Sequence, residues 1–454
     1  AVCLESELQE GQMMEVEVGH HSVLLTHCEG KFSAIGNQCT HYGAPLSKGK
    51  RGHTVRCPWH GACFNVHTGD LEEYPGIDSL PCHKVHKDKT FCCHGQLQEK
   101  RIKTMGAAVP GFTHTVVLLG GGAASLICAE VLRQQNFPGR IIMATRDDLL
   151  PYDKTRLSKV MNVETESILL RRMEFYLQYD IEVWLRKEAQ SVNTDEKTVT
   201  FDDGSVQSYD QLLIATGCRA KGLNVPGINL DNFLTLLLLQ MLTEKNVRFY
   251  MNDSVLEVRG QDGKVKEVVL KSAKVLPADV FIVGIGVKPN SEFLRGSRIQ
   301  LDSRNFVVVD KYMRTNIPGV FCGGDVATFP LTMAKNQPVN IGHWQMAQAH
   351  GRIAALNMLD KPTELSSVPF YWTVLLGKTI RYAGYGEGYT EIVVKGKLED
   401  KKFLALYIKN DAVIAAVSLN YDPAVSAVAQ RLIAGKVITK EEAQSDELDW
   451  LQLS

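Results

Sequence analysis

The sequence lacks both a long apolar run and an excess of charge of one sign. Its longest apolar stretch, residues 233–242, is ten residues long, about half of what a helix needs to cross a bilayer. Fifty lysines and arginines against 51 acidic residues give a net charge of −1, so no basic excess is present to neutralise nucleic-acid phosphates. We therefore expect no membrane span and no nucleic-acid partner.

A targeting signal and a disulfide framework are also missing. No charged start is followed by an apolar stretch, and the chain begins with Ala, so we expect a fragment or a processed form. Eleven cysteines are few for this length, and the odd number argues against a fully paired secreted protein. Eight of the eleven fall within the first hundred residues. This concentration predicts metal chemistry in the N-terminal region.

The order of patterns along the chain predicts a multidomain fold. Short runs broken by Gly, Pro and His indicate a small all-β domain first. A strand, a glycine turn and a helix then indicate an α/β domain, and the tail mixes strand and helix patterns as an α+β domain. We predict a β domain over 1–95, a linker over 96–112, an α/β domain in two parts over 113–235 and 298–361, an incomplete inserted domain over 236–297, and an α+β domain over 362–454.

Two Cys–His pairs stand in the predicted β domain. The first pair is Cys39 and His41, and after fifteen residues Cys57 and His60 form the second. A [2Fe-2S] cluster with two thiolates on one iron and two imidazoles on the other takes one Cys and one His from each of two loops. A four-ligand zinc site and four unconnected core residues are the alternatives. The Gly-Ala-Pro-Leu and Pro-Trp-His-Gly surroundings favour the cluster.

Residues 12–92 resemble the Rieske family on these motifs. Rieske centres of respiratory complexes carry an extra cysteine in each loop, and Ala44 and Trp59 stand in those places here. The resemblance is therefore to ferredoxin-like Rieske proteins. It implies a potential toward the lower end of the range of about −150 to +300 mV.

A dinucleotide-binding turn follows the strand at 115–119. Gly120, Gly122 and Ser125 have the spacing of a pyrophosphate-binding turn, with Ser in place of the third Gly. Such a turn needs glycine torsions, and the helix that it opens attracts the anion at its N-terminus. The acid that binds the ribose is expected at the end of the second strand, where Asp147 follows Arg146. Asp147 is our candidate.

Four later motifs follow in a recognisable order. They are PYDKTRLSK at 151–159, YDQLLIATG at 209–217, VFCGGD at 320–325 and HWQMAQAHGR at 343–352. With the glycine turn, this order resembles the pyridine nucleotide-disulfide oxidoreductase superfamily. No C-x-x-x-x-C pair is present, so disulfide chemistry is unsupported. A Rossmann-like domain without a nucleotide is the alternative.

A Rieske domain in front of such a reductase resembles the apoptosis-inducing factor family, and the resemblance covers nearly the whole chain. It implies FAD as cofactor and an intracellular, mitochondrial location. It also implies that Lys159 is catalytic beside the flavin ring, that Trp344 borders the ring and that Asp325 hydrogen-bonds the ribityl chain. A solvated helix charge is the alternative for Lys159. The other FAD-binding candidates from the same motifs are Arg156, Thr216 and Gly217.

A second glycine turn, which NAD(P)H would need, is missing between the ATG and GGD motifs. Residues 217–246 are too few for a connection and a complete βαβ unit of about 30 residues. Gly284 and Gly286 form the only nearby G-x-G, and Pro289 follows where a helix should start. We therefore predict an incomplete NAD-binding domain with uncovered strand edges, and doubtful use of NAD(P)H.

These features together predict a redox protein with FAD and a Rieske cluster. In intact relatives, NAD(P)H would reduce the flavin, and the flavin would pass single electrons to the cluster. One rival is a non-enzymatic pro-apoptotic or scaffold protein in which the cofactors are structural. Another is an electron carrier for an oxygenase, which would have a dedicated acceptor. No sequence feature names the acceptor protein.

Overall fold

The computed structural model describes residues 3–49, 53–87, 91–94, 99–160, 162–221 and 242–451. Two compact units are present. The first comprises Ala1–Gly217 with Pro289–Ser454, and the second is Cys218–Lys288. Among the described residues, no helix combines the length and the apolar composition that a membrane span requires.

Two antiparallel sheets form the N-terminal region of the first unit. The larger sheet has the order β1-β2-β3-β7-β8, and the smaller has the order β4-β5-β6. Leu24 and Ile35 of the larger sheet and Phe64 of the smaller are fully buried in one shared core. The strands are β1 (Met13–Val18), β2 (His21–Cys28), β3 (Lys31–Gly36), β4 (Thr54–Arg56), β5 (Cys63–Asn65), β6 (Leu71–Glu73), β7 (Cys82–Lys87) and β8 (Phe91–His94).

A parallel sheet begins after residue 114, as the run TVVLL predicts. Its first strand is buried on both faces, which is typical of a parallel sheet covered by helices. A separate antiparallel sheet joins β12, β13 and β14. The elements are β9 (Thr115–Leu119), α1 (Ala123–Gln134), β10 (Arg140–Ala144), α2 (Lys154–Leu157), α3 (Thr165–Ile168), α4 (Met173–Gln178), β11 (Ile181–Trp184), β12 (Ala189–Asn193), β13 (Thr198–Phe201), β14 (Val206–Ser208) and β15 (Gln211–Ile214).

The second unit contains short sheets. Strands β17, β18 and β19 form an antiparallel sheet, and β16 pairs with β20. Within the described part of this unit, Leu242 and Thr243 are the only helical residues. Val280 and Ile282 are 75% and 86% exposed. The strands are β16 (Cys218–Ala220), β17 (Val255–Gln261), β18 (Lys264–Leu270), β19 (Val275–Pro277) and β20 (Val287–Pro289).

The chain then completes the parallel sheet, whose order is β11-β10-β9-β15-β22. Helix α5 packs closely on α1, because a Cβ atom at Gly351 would lie 2.2 Å from the carbonyl oxygen of Ala124. The elements of this part are β21 (Val307–Val308), β22 (Val320–Cys322), β23 (Ala327–Leu331), β24 (Gln337–Val339) and α5 (Trp344–Met358).

The C-terminal region has the predicted α+β composition. Its five strands form an antiparallel sheet in the order β25-β26-β29-β28-β27. Helix α6 carries Ala427 and Val428, which are fully buried in the core of this region. The elements are β25 (Phe370–Leu375), β26 (Lys378–Gly384), β27 (Glu391–Lys397), β28 (Lys402–Lys409), β29 (Ala412–Leu419), α6 (Ala424–Ile433) and α7 (Lys440–Gln444).

Candidate functional site

The four predicted cluster ligands lie in two loops that share one type of turn. The first loop follows β3 and the second follows β4. The N–H of Gly43 donates to the carbonyl of Cys39 over 2.8 Å, and the N–H of Gly61 donates to the carbonyl of Cys57 over 3.2 Å. Both glycines have a positive φ, +75° and +79°, which favours glycine because it has no Cβ. The two loops therefore hold their Cys–His pairs in equivalent backbone settings.

The two thiols pair with each other, and so do the two imidazoles. Cys39 and Cys57 are 3% and 1% exposed, and their sulfur atoms are in hydrogen-bonding contact. The Nδ1 atoms of His41 and His60 lie 3.1 Å apart. Two nitrogens bound at about 2.1 Å to one tetrahedral metal would be roughly 3.4 Å apart. The imidazole pair is therefore spaced to bind one iron.

The donor types also match the two irons of a Rieske cluster. A cluster with two sulfur ligands on one iron and two nitrogen ligands on the other needs two separate pairs. The donor set therefore fits a Rieske cluster.

The surroundings hold the imidazoles neutral and the sulfurs hydrogen-bonded. Burial lowers the pKa of His41 to about 3 and that of His60 to about 2, so both rings are neutral near pH 7, as metal ligands must be. The backbone N–H of Tyr42 donates toward the sulfur of Cys39, and that of Trp59 toward the sulfur of Cys57. Hydrogen bonds to the sulfurs are one of the determinants of the potential of such clusters.

Gly61 and Gly43 offer a matched test of how the second ligand loop is held. A Cβ atom at Gly61 would lie 2.8 Å from the ring of Phe370 in β25, whereas one at Gly43 would have no neighbour within 4 Å. Phe370 is only 2% exposed, so its ring has little room to move. We expect Gly61→Ala to lower the free energy of unfolding by about 1–3 kcal/mol more than Gly43→Ala does. The reason is that only the Gly61 variant adds a methyl group that overlaps the ring of Phe370 in β25.

Urea unfolding of both variants, followed by circular dichroism, measures this difference. The two substitutions share the cost of placing Ala at positive φ, about 1–2 kcal/mol. Equal losses of stability would therefore show that the Phe370 contact does not hold the loop.

The loop at residues 74–79 connects the first ligand loop to α5. The side-chain amide of Gln348 in α5 donates to the carbonyl of Gly76 over 2.7 Å and accepts from the N–H of Gly76 over 3.4 Å. The hydroxyl of Thr40, which stands between Cys39 and His41, donates to the carbonyl of Asp78 over 2.7 Å. All of these groups are buried, so α5 and the ligand loop hold residues 74–79 between them.

A buried ion triad ties the same loop to α1. The guanidinium of Arg171 has Nε 2.9 Å from an oxygen of Glu130 in α1, and Nη1 2.8 Å from an oxygen of Asp78. The three side chains are 2–9% exposed. Burial raises the pKa of the Glu130 carboxyl, and the charge of Arg171 opposes that shift. The positive charge of Arg171 therefore compensates the two carboxylates that are buried in this triad.

Trp372 in β25 packs beside the two ligand imidazoles. The centroid of its ring lies 5.4 Å from that of His41 and 4.9 Å from that of His60. Its ring also lies 4.9 Å from the ring of His343, which precedes Trp344 at the start of α5. A continuous row of aromatic rings thus connects the ligand histidines to the N-terminus of α5.

The predicted FAD-binding residues gather at one edge of the parallel sheet. Gly120 follows β9, Thr216 and Gly217 follow β15, and Asp325 follows β22. Neighbouring parallel strands end at the same edge, which is where open α/β sheets bind dinucleotides. Burial raises the pKa of Asp325, whose carboxyl carbon lies 3.4 Å from the Cβ position at Gly342. The residues between Gly342 and Trp344 therefore border the same edge.

The glycine turn fits a pyrophosphate. Gly120 has φ +113°, and a Cβ there would lie 2.2 Å from the carbonyl oxygen of Ala215. Gly122 is the N-cap residue of α1, and it has no side chain that could bond the first backbone N–H groups of the helix. A Cβ atom added at Gly122 would have no neighbour within 4 Å, so the space in front of these groups is open. The hydroxyl of Ser125 is buried and finds no hydrogen-bond partner among the described residues. The free N-terminus of α1 and the open space in front of it suit an anionic phosphate group.

The remaining candidates follow β10 or lie in and just after α2. Asp147 follows β10, and its carboxylate lies 4.0 Å from Lys154. Arg156 in α2 donates to the carbonyl of Ser167 over 2.6 Å. The ammonium of Lys159 donates to the hydroxyl of Thr373 over 2.8 Å, and to a second acceptor in β25. Both contacts of Lys159 are with residues of β25 and give no evidence that it acts on the flavin. Its catalytic role therefore stays a prediction.

Three family descriptions match successive parts of the chain. They are the Rieske [2Fe-2S] domain over residues 1–84, pyridine nucleotide-disulphide oxidoreductase over 114–237 and 229–351, and reductase C-terminal over 370–452. With the paired ligands and the strand-end site, they define an FAD-dependent oxidoreductase that carries a Rieske cluster and transfers electrons. The predicted fold class and the two predicted cofactors are confirmed.

Relatives identify the family more closely. The human protein named Apoptosis-inducing factor 3 is 42% identical over 532 residues, which cover 99% of this chain and 88% of the human one. The chain belongs to the apoptosis-inducing factor 3 family, as the motif order predicts.

More distant relatives share the reductase part. The ferredoxin–NAD(+) reductase component of the biphenyl dioxygenase system from Paraburkholderia xenovorans (strain LB400) is 26% identical, covering 73% of this chain and 96% of its own length. A solved covalent complex of putidaredoxin reductase and putidaredoxin has a fold that matches with a TM-score of 0.70 at 21% identity, over 75% of this chain and 98% of that one.

Sequence reasoning missed the residues that connect the regions. Trp372, Arg171 and Gln348 each contact a loop of the Rieske region that is far away in the chain. No spacing rule links them to the cluster ligands. Trp372 lies within the tail segment that carries part of the family resemblance, and that is the only signal that points to it.

Proposed function

We propose that this chain transfers electrons between FAD and the Rieske cluster inside one polypeptide, and that NAD(P)H reduces it poorly. The proposed electron transfer between FAD and the cluster is supported by the contacts of the Trp372 ring with His41 and His60 and with His343. In the putidaredoxin reductase complex, putidaredoxin is named as a separate partner. Here the Rieske region and the reductase region belong to one compact unit.

The residues of the chain take distinct parts in this function. FAD, when bound, supplies the ability to accept two electrons and to release them singly. The N-terminus of α1, with Gly120 and Gly122, binds the pyrophosphate, and Asp325 binds the ribityl chain. Trp372 fills the space between the ligand imidazoles and His343, and so excludes water from it.

Three observations support poor use of NAD(P)H. The pyridine nucleotide-disulphide oxidoreductase match is divided into two segments that meet at residues 229–237. The alignment with the human relative covers 532 residues, more than the 454 of this chain, so residues of the relative have no counterpart here. In the described part of the second unit, Gly286 leads directly into β20, and no helix follows. A dinucleotide site needs a helix N-terminus at that place.

Anaerobic rapid mixing with NADH tests the impairment. We expect NADH to bleach the flavin absorbance of the purified chain slowly. The rate constant should be at least about 100-fold below 10 per second, which is about the median turnover number of enzymes. Dithionite, which needs no nucleotide site, is the control and should bleach flavin and cluster promptly. Bleaching by NADH within the first second would contradict the proposal.

Finer assignments follow from family membership. We propose the domain boundaries and the individual site roles given from the sequence, a separate acceptor protein for the electrons, and a mitochondrial location. The name of the human relative also motivates a role in apoptosis. Localisation of a tagged chain by microscopy tests the location, and cell survival after its expression tests the role.

A further inference from the structure

One fully buried histidine lies beside the turn that carries Asp325. His350 in α5 is 0% exposed, and burial lowers its pKa to about 3, so its ring is neutral near pH 7. The Nδ1 atom accepts the backbone N–H of Gly324 over 3.1 Å. Because Nδ1 is the acceptor, the single ring proton lies on Nε2. That N–H group is buried and finds no hydrogen-bond partner among the described residues.

The imidazole of His350 has a cost at this position. A buried donor without an acceptor loses the hydrogen bonds that it makes with water, and this loss lowers the stability of the fold. The ring also packs against Phe329, with 4.5 Å between the two centroids, and an apolar side chain could fill the same space. Only the bond to Gly324 needs a nitrogen. The acceptor therefore distinguishes His350 from an apolar residue of similar volume.

The bond from Gly324 fixes the point where the chain leaves the parallel sheet. The N–H of Gly323 still donates to the carbonyl of Ile214 at the end of β15, over 3.0 Å. Gly324 then has φ +77°, and its N–H is directed to His350. A Cβ atom at Gly323 would lie 3.0 Å from the Cβ of His350, so α5 and the turn are in close contact. His350 thus holds the residue that immediately precedes Asp325.

Side chains fix both ends of this turn. His350 bonds its start at Gly324, and the side-chain amide of Asn340 donates to the carbonyls of Asp325 and Ala327 over 2.8 Å each. Burial raises the pKa of the Asp325 carboxyl between them. A side chain that binds a ligand through hydrogen bonds has to be held within about 0.5 Å of its productive position. The two bonded ends of the turn provide this restraint.

We propose that His350 is a positioning residue for FAD binding, whose Nδ1 atom holds the turn at Gly324 so that Asp325 is aligned with the ribityl chain. His350 acts through the backbone of the turn and transfers no proton. The inference rests on the proposed role of Asp325 in binding the ribityl chain.

Two substitutions separate the acceptor of His350 from its volume. His350→Asn keeps an acceptor, because Oδ1 is attached to Cγ as Nδ1 is, but it leaves a cavity. His350→Leu keeps most of the volume and removes the acceptor. We expect the holoprotein of His350→Leu to release FAD about tenfold faster than the parent chain, and that of His350→Asn to stay within about twofold. The fluorescence of released flavin after dilution measures the rate.

The opposite order would overturn the inference. If His350 served only to fill space, the cavity in His350→Asn would make that variant the faster to release FAD. The Asn variant also decides alone if His350→Leu does not fold, because tenfold faster release from His350→Asn would already refute the role of the acceptor.

Gln348→Leu is the matched control on the same helix. Gln348 is 1% exposed, and its amide bonds the backbone of Gly76 in the Rieske region instead of the turn. We expect Gln348→Leu to lower the urea midpoint of unfolding but to release FAD at the parent rate. Release as fast as that from His350→Leu would show a general loosening of α5 and refute the positioning role.

Asp325→Ala separates this inference from the proposed function. We expect this variant to release FAD faster than the parent chain or to purify without it. Such a result, with parent-like release from His350→Leu, would overturn the role of His350 and leave that of Asp325 standing. Parent-like release from Asp325→Ala would instead refute the role of Asp325, and with it the route from His350 through the turn to FAD.

Discussion

Replacing Arg171 by Met is expected to lower the free energy of unfolding by about 3–5 kcal/mol, the usual cost of removing one partner from a buried ion pair. The substitution keeps most of the side-chain volume but leaves Glu130 and Asp78 buried without their cation. Since Asp78 belongs to the loop at residues 74–79, that loop should also loosen against α1. Unfolding in urea, followed by circular dichroism and by the visible absorbance of the cluster, measures both effects.

The pair Arg140–Glu182 is the matched control. It joins β10 and β11 of the parallel sheet, with the guanidinium Nε 2.5 Å from the carboxylate, but both side chains are about two-fifths exposed. Water screens such a pair, so Arg140→Met should cost no more than about 1 kcal/mol. A similar loss in both variants would show that the triad contributes no more than a surface pair.

The stability deficit of Arg171→Met should shrink as the pH falls from about 8 to about 5. Burial already raises the pKa of Glu130, and Arg171 opposes this shift. Without the cation, the folded-state pKa rises further above the unfolded one. A carboxyl with a raised pKa binds more protons in the folded state, so lowering the pH favours folding. A deficit that grows toward low pH would contradict this account.

Replacing Gly120 by Ala is expected to lower the free energy of unfolding by about 2–4 kcal/mol and to release FAD. The new Cβ would lie 2.2 Å from a backbone carbonyl oxygen at a φ of +113°, so strain and overlap add. Backbone at the end of β15 would have to move, and the strand-end edge would lose its shape. The ratio of flavin to protein absorbance after purification reports the loss.

Gly122→Ala separates the fold from the ligand. Its φ is −92° and its Cβ position is open, so stability should change by no more than about 0.5 kcal/mol. The methyl group would stand where a phosphate approaches the helix, and the affinity for FAD should fall about tenfold, or about 1.4 kcal/mol. If Gly122→Ala unfolds the chain as readily as Gly120→Ala, or if it binds FAD normally, the pyrophosphate assignment is wrong.

Much of the site was predictable because its signals are local. The Cys–His spacing with its neighbouring glycines is a signal that spans only a few residues in each loop. The turn from Gly120 to Ser125 is equally short. The FAD-binding edge was predictable for a topological reason, since motifs that end parallel strands must meet at one edge. The contacts of Lys159 with β25 were not predictable, because that strand begins more than 200 residues later.

The sequence by itself determined the family and the two cofactors, and it predicted the cluster ligands, the dinucleotide turn and the lack of a second glycine turn, because each depends on residue types at short spacings. Only the tertiary structure decided that the Rieske loops pack on α1, α5, α6 and β25. It also brought Trp372 onto the ligand imidazoles and placed Arg171 between two carboxylates. Such contacts join residues from 41 to 369 positions apart, and packing free energy selects them without leaving a periodic pattern in the sequence.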